Sequence, residues 1–257
     1  MTKQLLTETF YRRGVTASQS QGKPDVYLFA QFLPEPGATD LSHWNRPLTL
    51  EGGTLVDDFV FQGGLYYYRG YLQARSDRTN AILSTSLSPG LNLNNFSCEI
   101  WIQPYYKRFT GTAGTFTLQF LTDNGYLQLT QTSTNNDIPY CLQLDVDGKI
   151  QSNVEPYLEV DRAYSFPHIL LTGCNGTIYV YVNLPSGSET WSSEVQCQFS
   201  LNAPSFTNLA HSMVFHVNDC GLPGLRLLNE KCLLTGEWDK DTNAYLPKKS
   251  PSKTEPV

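Results

Sequence analysis

Charged residues are scarce in this sequence of 257 residues: Asp, Glu, Lys and Arg make up 16% of it, whereas about 25% is usual for a globular domain. The formal net charge is −6, so the chain lacks the basic surface with which proteins neutralise nucleic-acid phosphates. No apolar run approaches the roughly 18 residues that a membrane-spanning helix needs. We therefore expect no nucleic-acid partner and no membrane insertion.

Motifs for metal binding, redox chemistry and secretion are also missing. The six cysteines include no C-x-x-C pair, which argues against a zinc site or a thioredoxin-like centre. The amino terminus, MTKQLLTETFYRRG, contains no apolar stretch long enough for a signal peptide. We expect synthesis in a cytoplasm, where the cysteines would be free and mostly buried thiols.

Catalytic signatures are absent as well. The sequence has no G-x-S-x-G nucleophile motif. Its four histidines form no H-E-x-x-H or other metal-binding spacing, and no glycine-rich loop leads to a phosphate-binding Lys. We therefore predict that the protein is not an enzyme and that it has no cofactor, apart from the calcium considered below.

Aromatic and small polar residues dominate instead. Tyr (15) and Phe (13) are plentiful, and both fit the pleated, half-buried surface of a β-sheet. In the segment NFSCEIWIQP, Phe96, Cys98 and Ile100 alternate with Glu99 and Trp101. Alternation of this kind predicts a half-buried strand, with the two sets of side chains on opposite faces.

Roughly a dozen such strands follow one another, separated by turn signals such as Asp-Asn-Gly. No helical pattern alternates with them, as a parallel α/β fold would require. The sequence therefore predicts an all-β protein, an antiparallel sandwich of two sheets. We expect an amino-terminal arm or lead-in (residues 1–25), the sandwich itself (26–238) and a flexible carboxy-terminal tail (239–257).

Two segments resemble strand motifs of a known superfamily. FSCEIWIQP, from Phe96 to Pro104, resembles the FTIEFWVKP strand of the concanavalin A-like lectins and glucanases, which include the laminin G-like (LamG) domains. SFPHILLTG, with the IYVYVN that follows it, is similar to the hairpin W-x-H-V-A…G-x-L-x-L-Y-V-N-G of the same superfamily. Phe166 replaces the usual Trp, and Leu184 replaces a Gly. The resemblance spans residues 26–238 and implies a jelly-roll sandwich.

The resemblance also implies a function. Superfamily members without signal peptides are frequent among bacteriophage structural proteins. We therefore predict a non-enzymatic virion component of the tail, baseplate or capsid surface, made in the host cytoplasm and displayed on the virion. Such a component would form a homo-oligomer, dock with other virion proteins and contact host cell-surface polysaccharide.

Two alternatives stay open. The first is a stand-alone carbohydrate-binding lectin. The second is a polysaccharide hydrolase, because some members of the superfamily cleave β-glucans with carboxylates in an E-x-D-x-x-E arrangement. Glu159 and Asp161 match the first two carboxylates, but Tyr164 occupies the position of the third.

Glycan recognition combines exposed aromatic rings with nearby hydrogen-bonding groups. The residues that we predict to contact glycans are Tyr66, Tyr68, Tyr71, Glu99, Trp101, Tyr179 and Tyr181. These rings could equally cover a sheet or pack in a protein interface, where Tyr and Trp are enriched.

Calcium is a further expectation from the resemblance, because many domains of this superfamily bind it through loop oxygens. Calcium needs 6 to 8 oxygen ligands. The candidate ligands here, all in oxygen-rich turns, are Asp123, Asp145, Asp147 and Asp219. Ordinary hairpin turns have the same composition.

Overall fold

The computed structural model describes residues 26–62, 66–74, 80–104, 106–107, 112–132, 141–146, 149–154, 168–174, 177–185, 191–200, 209–229, 238–239 and 244–245. Within these residues all regular secondary structure is β-strand. The described part of the chain contains no helix that could span a membrane.

The strands are short and follow one another closely along the chain. In chain order they are β1 (Val26–Leu33), β2 (Gly37–Asp40), β3 (Thr49–Gly52), β4 (Thr54–Gln62), β5 (Tyr66–Ala74), β6 (Ala81–Asn92), β7 (Asn95–Pro104), β8 (Tyr106–Lys107), β9 (Thr112–Ala113), β10 (Thr115–Thr122), β11 (Gly125–Thr132), β12 (Cys141–Val146), β13 (Lys149–Val154), β14 (His168–Cys174), β15 (Thr177–Pro185), β16 (Trp191–Ser200), β17 (Leu209–Asn218), β18 (Cys220–Asn229), β19 (Trp238–Asp239) and β20 (Ala244–Tyr245).

Two large sheets contain most of these strands. Sheet 1 has nine strands in the order β16-β15-β14-β7-β18-β1-β2, and β5 pairs with both β18 and β4 beside this path. Sheet 2 has seven strands in the order β13-β12-β11-β10-β17-β6-β3. The ladders within both sheets are antiparallel. The predicted antiparallel two-sheet sandwich is thereby confirmed.

The core lies between the two sheets. Alternate residues of β10 are buried, as the pattern TFTLQFLT predicts for a strand with one face turned inward. Phe96 on β7 and Phe120 on β10 meet edge to face across the two sheets, with ring centroids 5.5 Å apart. Phe116 and Phe215 pack in the same geometry within sheet 2. Contacts of this kind contribute about 0.5–1.5 kcal/mol beyond the area that they bury.

Sheet 1 is buried on both faces at its centre. As predicted for β7, Phe96, Cys98 and Ile100 are buried in the core. Ser97 and Glu99 on the opposite face are also 0% exposed, so the prediction of a half-buried strand is wrong. Alternation in a sequence separates the two faces of a strand, but it does not show whether the outer face meets solvent.

Cys98 on β7 and Cys220 on β18 are buried free thiols, which confirms the expectation for these two residues. Removal from water disfavours the thiolate and raises the pKa of both thiols well above the usual value. The charges of Glu99 and Asp219 act in the same direction on their neighbours. The side chains of the other cysteines lie outside the described part of the chain.

Both predicted ends fall largely outside the described residues. Residues 1–25 do so completely. In the region of the predicted tail, β19 and β20 form a two-residue antiparallel ladder. The proposed division of the chain into arm, sandwich and tail stays a prediction.

Candidate ligand-binding site

A short loop between β2 and β3 carries the chain from sheet 1 to sheet 2, and the Asp40 carboxylate organises it. This carboxylate is 2% exposed. It accepts hydrogen bonds from the backbone N–H groups of Phe29, Ser42 and Arg46, each at 2.9 Å, and from the Ser42 hydroxyl at 2.8 Å. Hydrogen bonds to a charged acceptor are stronger than neutral ones. The four together hold the loop against β1 in one conformation.

Arg46 packs the same loop against its surroundings. Its guanidinium carbon lies 3.7 Å from the centroid of the Tyr27 ring and 4.8 Å from that of the Trp44 ring. The guanidinium donates hydrogen bonds to the backbone oxygen of Tyr27 and, at 3.3 Å, to that of Ser88 on β6. Burial raises the pKa of the Tyr27 hydroxyl, and the charge of Arg46 offsets part of that rise. Arg46 therefore joins β1, the loop and β6.

Trp44 lies in the same loop and is exposed to solvent. Its side chain is 38% exposed, although Arg46 beneath it is only 7% exposed. The imidazole of His43 lies beside the indole, with ring centroids 4.7 Å apart and planes tilted by 44°. Asn45 turns the chain with a φ of 45°, a conformation that Asn tolerates better than most residues. We refer to His43, Trp44 and Arg46 as the Trp44 platform.

The Trp44 platform can bind an apolar ring face while neighbouring groups bind hydroxyls. An indole offers a large flat apolar surface and loses little conformational entropy on binding. Since Arg46 lies over one side of the ring, a ligand would stack on the solvent side. His43 and Asn45 are both exposed next to it and supply hydrogen-bonding groups.

The predicted tyrosines of β5 lie on one strand of sheet 1. Tyr66 pairs with Gln62 and Tyr68 with Val60 of β4, while the side chains of both tyrosines lie outside the described part. Tyr71 is half-buried. The structure therefore places these residues on one strand without deciding whether they contact a ligand.

Glu99 does not lie at the surface, which corrects its assignment as a glycan-contacting residue. The carboxylate is 0% exposed and accepts hydrogen bonds from Nε and Nη2 of Arg226, which is itself 3% exposed. In the β7–β18 ladder Glu99 stands directly opposite Arg226. A carboxylate enclosed in this way has a structural ion-pair role and would not reach a bound sugar.

The remaining aromatic candidates lie on β7 and β15 of sheet 1. Tyr181 pairs with Leu170 and Tyr179 with Thr172 in the β14–β15 ladder, which puts both tyrosines in the rows that cross β7. Tyr179 is half-buried. The side chains of Tyr181 and Trp101 lie outside the described part, so glycan contact at these positions stays a prediction.

The three candidate calcium ligands that the structure describes are not brought together. Asp123 lies in the exposed turn between β10 and β11, with its Oδ1 3.2 Å from Nε2 of His211. Asp145 is buried on β12 and Asp219 lies in the turn before β18 with a φ of 50°. Within the described ranges no three His, Cys, Asp or Glu side chains lie close enough to hold a metal ion.

Several other candidates fall outside the described residues. Asp147, the fourth candidate calcium ligand, is one of them. The partial hydrolase pattern at Glu159, Asp161 and Tyr164 is another. Calcium binding therefore stays an untested prediction, and so does the hydrolase alternative.

Sequence reasoning overlooked Trp44. The signal that could have found it is a single Trp in the polar stretch DLSHWNRP, between two predicted strands. An aromatic residue in a short loop has no neighbouring alternation that would bury it. The contribution of Arg46 could not be foreseen, because its partners Tyr27 and Ser88 are 19 and 42 residues away.

No protein-family model matches this sequence, and no curated protein matches it significantly. Solved structures with a similar fold include the binding domain of botulinum neurotoxin serotype D/C VPI 5993, with a TM-score of 0.56 and 15% identity over 85% of this chain and 51% of that one. The binding domain of botulinum neurotoxin DC in complex with SialylT gives 0.53 and 14% over 82% and 48%.

A structure of botulinum neurotoxin type C, which depends on interaction with two ganglioside molecules to enter cells, gives a TM-score of 0.55 and 13% identity over 85% of this chain and 50% of that one. The chain thus spans about half the length of these structures. At this level of identity the likeness establishes the shared β-sandwich fold and nothing more.

Proposed function

We propose that this protein is a non-enzymatic, lectin-like domain that binds cell-surface glycans through the Trp44 platform. The observation that carries the proposal is a Trp side chain 38% exposed on a loop that Asp40 and Arg46 fix in place. Sugar rings present an apolar C–H face together with peripheral hydroxyls. An exposed indole flanked by hydrogen-bonding side chains complements both features.

The rigidity of the loop strengthens this proposal. Binding to a flexible loop would lose conformational entropy, whereas a preorganised surface avoids much of that loss. Asp40 is held by backbone and side-chain donors, and the guanidinium of Arg46 packs against the Tyr27 and Trp44 rings. Trp side chains are mostly buried in folded proteins. A Trp without such support would therefore be expected to pack its ring against the protein.

The fold comparisons support a binding role without identifying the ligand. The similar sandwiches belong to toxin domains described with gangliosides, with SialylT or with rat synaptotagmin II. Those ligands and partners belong to the toxins. For this chain we propose a glycan because of the Trp44 platform, and the sugar itself is for the experiment to identify.

We further propose that the domain works within a virus particle, as a bacteriophage tail, baseplate or capsid-surface protein that docks with other virion proteins. This part rests on the LamG resemblance of the sequence. A symmetric homo-oligomer is the state expected of such a component. Light scattering on the full-length chain tests it: a trimer or larger closed assembly is expected, and a monomer at all concentrations would contradict it.

The test of the glycan proposal is a glycan array with the full-length protein, followed by calorimetric titration of the best ligand. Trp44→Ala should weaken binding by about 2 kcal/mol, roughly 30-fold in Kd, the loss typical of a central aromatic anchor. Trp44→Phe should retain part of the affinity. Leu209→Ala is the matched control, because Leu209 is exposed to the same extent at 39%.

Two outcomes would overturn the proposal. One is a folded wild-type protein that binds no glycan on the array. The other is a Trp44→Ala variant that binds as tightly as wild type, which would place the glycan elsewhere. Thermal unfolding of each variant shows that any loss of binding is not a loss of fold.

A further inference from the structure

The outer face of sheet 2 has an unusual chemical character. Along β10, β11 and β17 the inward residues are buried and the outward ones are partly exposed. The outward side chains at its centre are uncharged amides, hydroxyls and one imidazole, together with the apolar Val214 opposite Gln119. We call this the amide-hydroxyl face and define it by Thr117, Gln119, Gln128, Thr130, His216 and Asn218.

The strand register assembles these residues from distant parts of the chain. Thr117 stands between Thr130 of β11 and His216 of β17, and Gln119 stands opposite Gln128. The amide nitrogen of Gln119 donates to the Gln128 side-chain oxygen at 2.5 Å, and the Gln128 amide donates to the Thr130 hydroxyl at 3.0 Å. These two successive hydrogen bonds orient the side-chain amides of Gln119 and Gln128. Among the described residues, they leave the side-chain carbonyl oxygen of Gln119 and the hydroxyl proton of Thr130 for another partner.

A depression of about 80 Å³ lies at one end of this face, lined by Asn80, Thr115, Thr117, His216 and Asn218 together with Phe116 and Val217. A water molecule occupies about 30 Å³ in the liquid. The depression therefore holds two or three waters or one substituent of a sugar ring, such as a hydroxymethyl group, but not a whole ring.

Asn218 supplies an independent observation. Its side-chain oxygen is shielded from solvent, yet it accepts no hydrogen bond from the described residues. A buried acceptor without a donor is unfavourable. Because Asn218 lines the depression, a ligand hydroxyl that enters it could donate this bond after a small rotation of the amide.

The charge around the face selects the class of ligand. None of its six residues is an acid, Lys or Arg, in a protein of net charge −6. Among the described residues, three acids lie around the face: Asp145 stands opposite Gln128, Glu51 stands beyond His216 and Ile82, and Asp219 follows Asn218 in the chain. The exposed carboxylate of Glu51 would repel an anionic ligand at its margin, whereas a neutral ligand would not be repelled.

We propose that the amide-hydroxyl face binds a neutral, hydroxyl-rich oligosaccharide chain, with one ring substituent in the depression at Asn218. The inference deepens the glycan-binding function, on which it rests, by adding a second site with its own ligand class. The two sites are separate. Asn80 of the depression lies just before β6, and Ser88 beside Arg46 lies within β6, eight residues further or about 26 Å along an extended strand.

The experiment titrates the full-length protein with neutral hexasaccharides, namely cellohexaose, laminarihexaose, maltohexaose and mannohexaose, and follows binding by calorimetry and backbone NMR. Thr117→Arg places a long charged side chain over the face, and we expect it to weaken binding at least 10-fold. Thr49→Arg is the matched control, since Thr49 is exposed on β3 of the same sheet. Thr49→Arg should leave hexasaccharide affinity within twofold of wild type.

The outcomes separate this inference from the function on which it rests. If no neutral hexasaccharide binds, or if Thr117→Arg binds normally, the amide-hydroxyl face is refuted while the Trp44 platform is untouched. If Trp44→Ala abolishes hexasaccharide binding, the sugar belongs to the platform and the second site is again refuted. Should wild type form a dimer that Thr117→Arg dissociates, the face is an interface between copies rather than a sugar site.

Discussion

The buried ion pair between Glu99 and Arg226 offers the sharpest test of the fold. Glu99 is 0% and Arg226 3% exposed, and two guanidinium nitrogens of Arg226 contact one carboxylate oxygen. We consider three variants: Glu99→Leu, Arg226→Met and the double variant. Each single change removes one charge and leaves the other enclosed in the centre of sheet 1.

The expected magnitude follows from this burial. Removing one partner of a buried pair costs about 3–5 kcal/mol, because the other charge stays desolvated without its counter-ion. That is a large share of the roughly 5–15 kcal/mol by which domains are stable. Replacing both residues with apolar ones of similar volume is often neutral or stabilising. The double variant should therefore regain most of the stability that either single variant loses.

Urea unfolding followed by Trp fluorescence measures these differences. With a urea slope of roughly 2.5 kcal/mol per molar, a loss of about 4 kcal/mol lowers the midpoint by about 1.6 M. Single variants that lose less than about 1 kcal/mol would behave as an exposed ion pair does and would refute the buried geometry. A double variant as unstable as the sum of the two single ones would refute the coupling between the charges.

Two further predictions concern buried groups of sheet 1. Burial raises the pKa of the Cys98 and Cys220 thiols in the folded protein. Both thiols therefore lose their protons at a lower pH in the unfolded chain than in the folded one. The free energy of unfolding should fall as the pH rises above about 8.5, by about 1.4 kcal/mol per pH unit for each thiol. Urea midpoints from pH 7.5 to 10 measure the fall, which should shrink in Cys98→Ala; a flat profile would contradict it. At Gly173 a methyl group would lie 2.1 Å from the Leu93 oxygen and 2.9 Å from the Phe96 ring, so Gly173→Ala should lower stability by about 1–3 kcal/mol or more. A melting temperature equal to that of wild type would show that the strands can separate at this point.

The strand pattern is the part of the fold that the sequence predicts well. Phe96, Cys98 and Ile100 face the core as their alternation indicates, because the two-residue period of a strand is a local property. The Asp-Asn-Gly turn joins β10 to β11 as expected, with Thr122 paired to Gly125. Local geometry alone decides both features.

The candidate site is where prediction from sequence was least successful. The alternation along β7 predicts that Glu99 faces outward as a polar residue. Its side chain is instead enclosed together with that of Arg226, which lies 127 residues later in the sequence. Trp44 was overlooked because its exposure depends on Arg46, Tyr27 and the distant Ser88. Neither environment is encoded in neighbouring residues.

The sequence by itself determined the all-β class, the antiparallel sandwich and the inward face of its clearest strands, because alternation and turn chemistry act over a few residues. Only the tertiary structure decided which outer faces meet solvent. Pairing of β7 with β18, and of β10 with β17, brings together residues about a hundred positions apart. Burial, charge pairing and ligand surfaces arise from such long-range neighbours, so they could not be determined before the sheets were assembled.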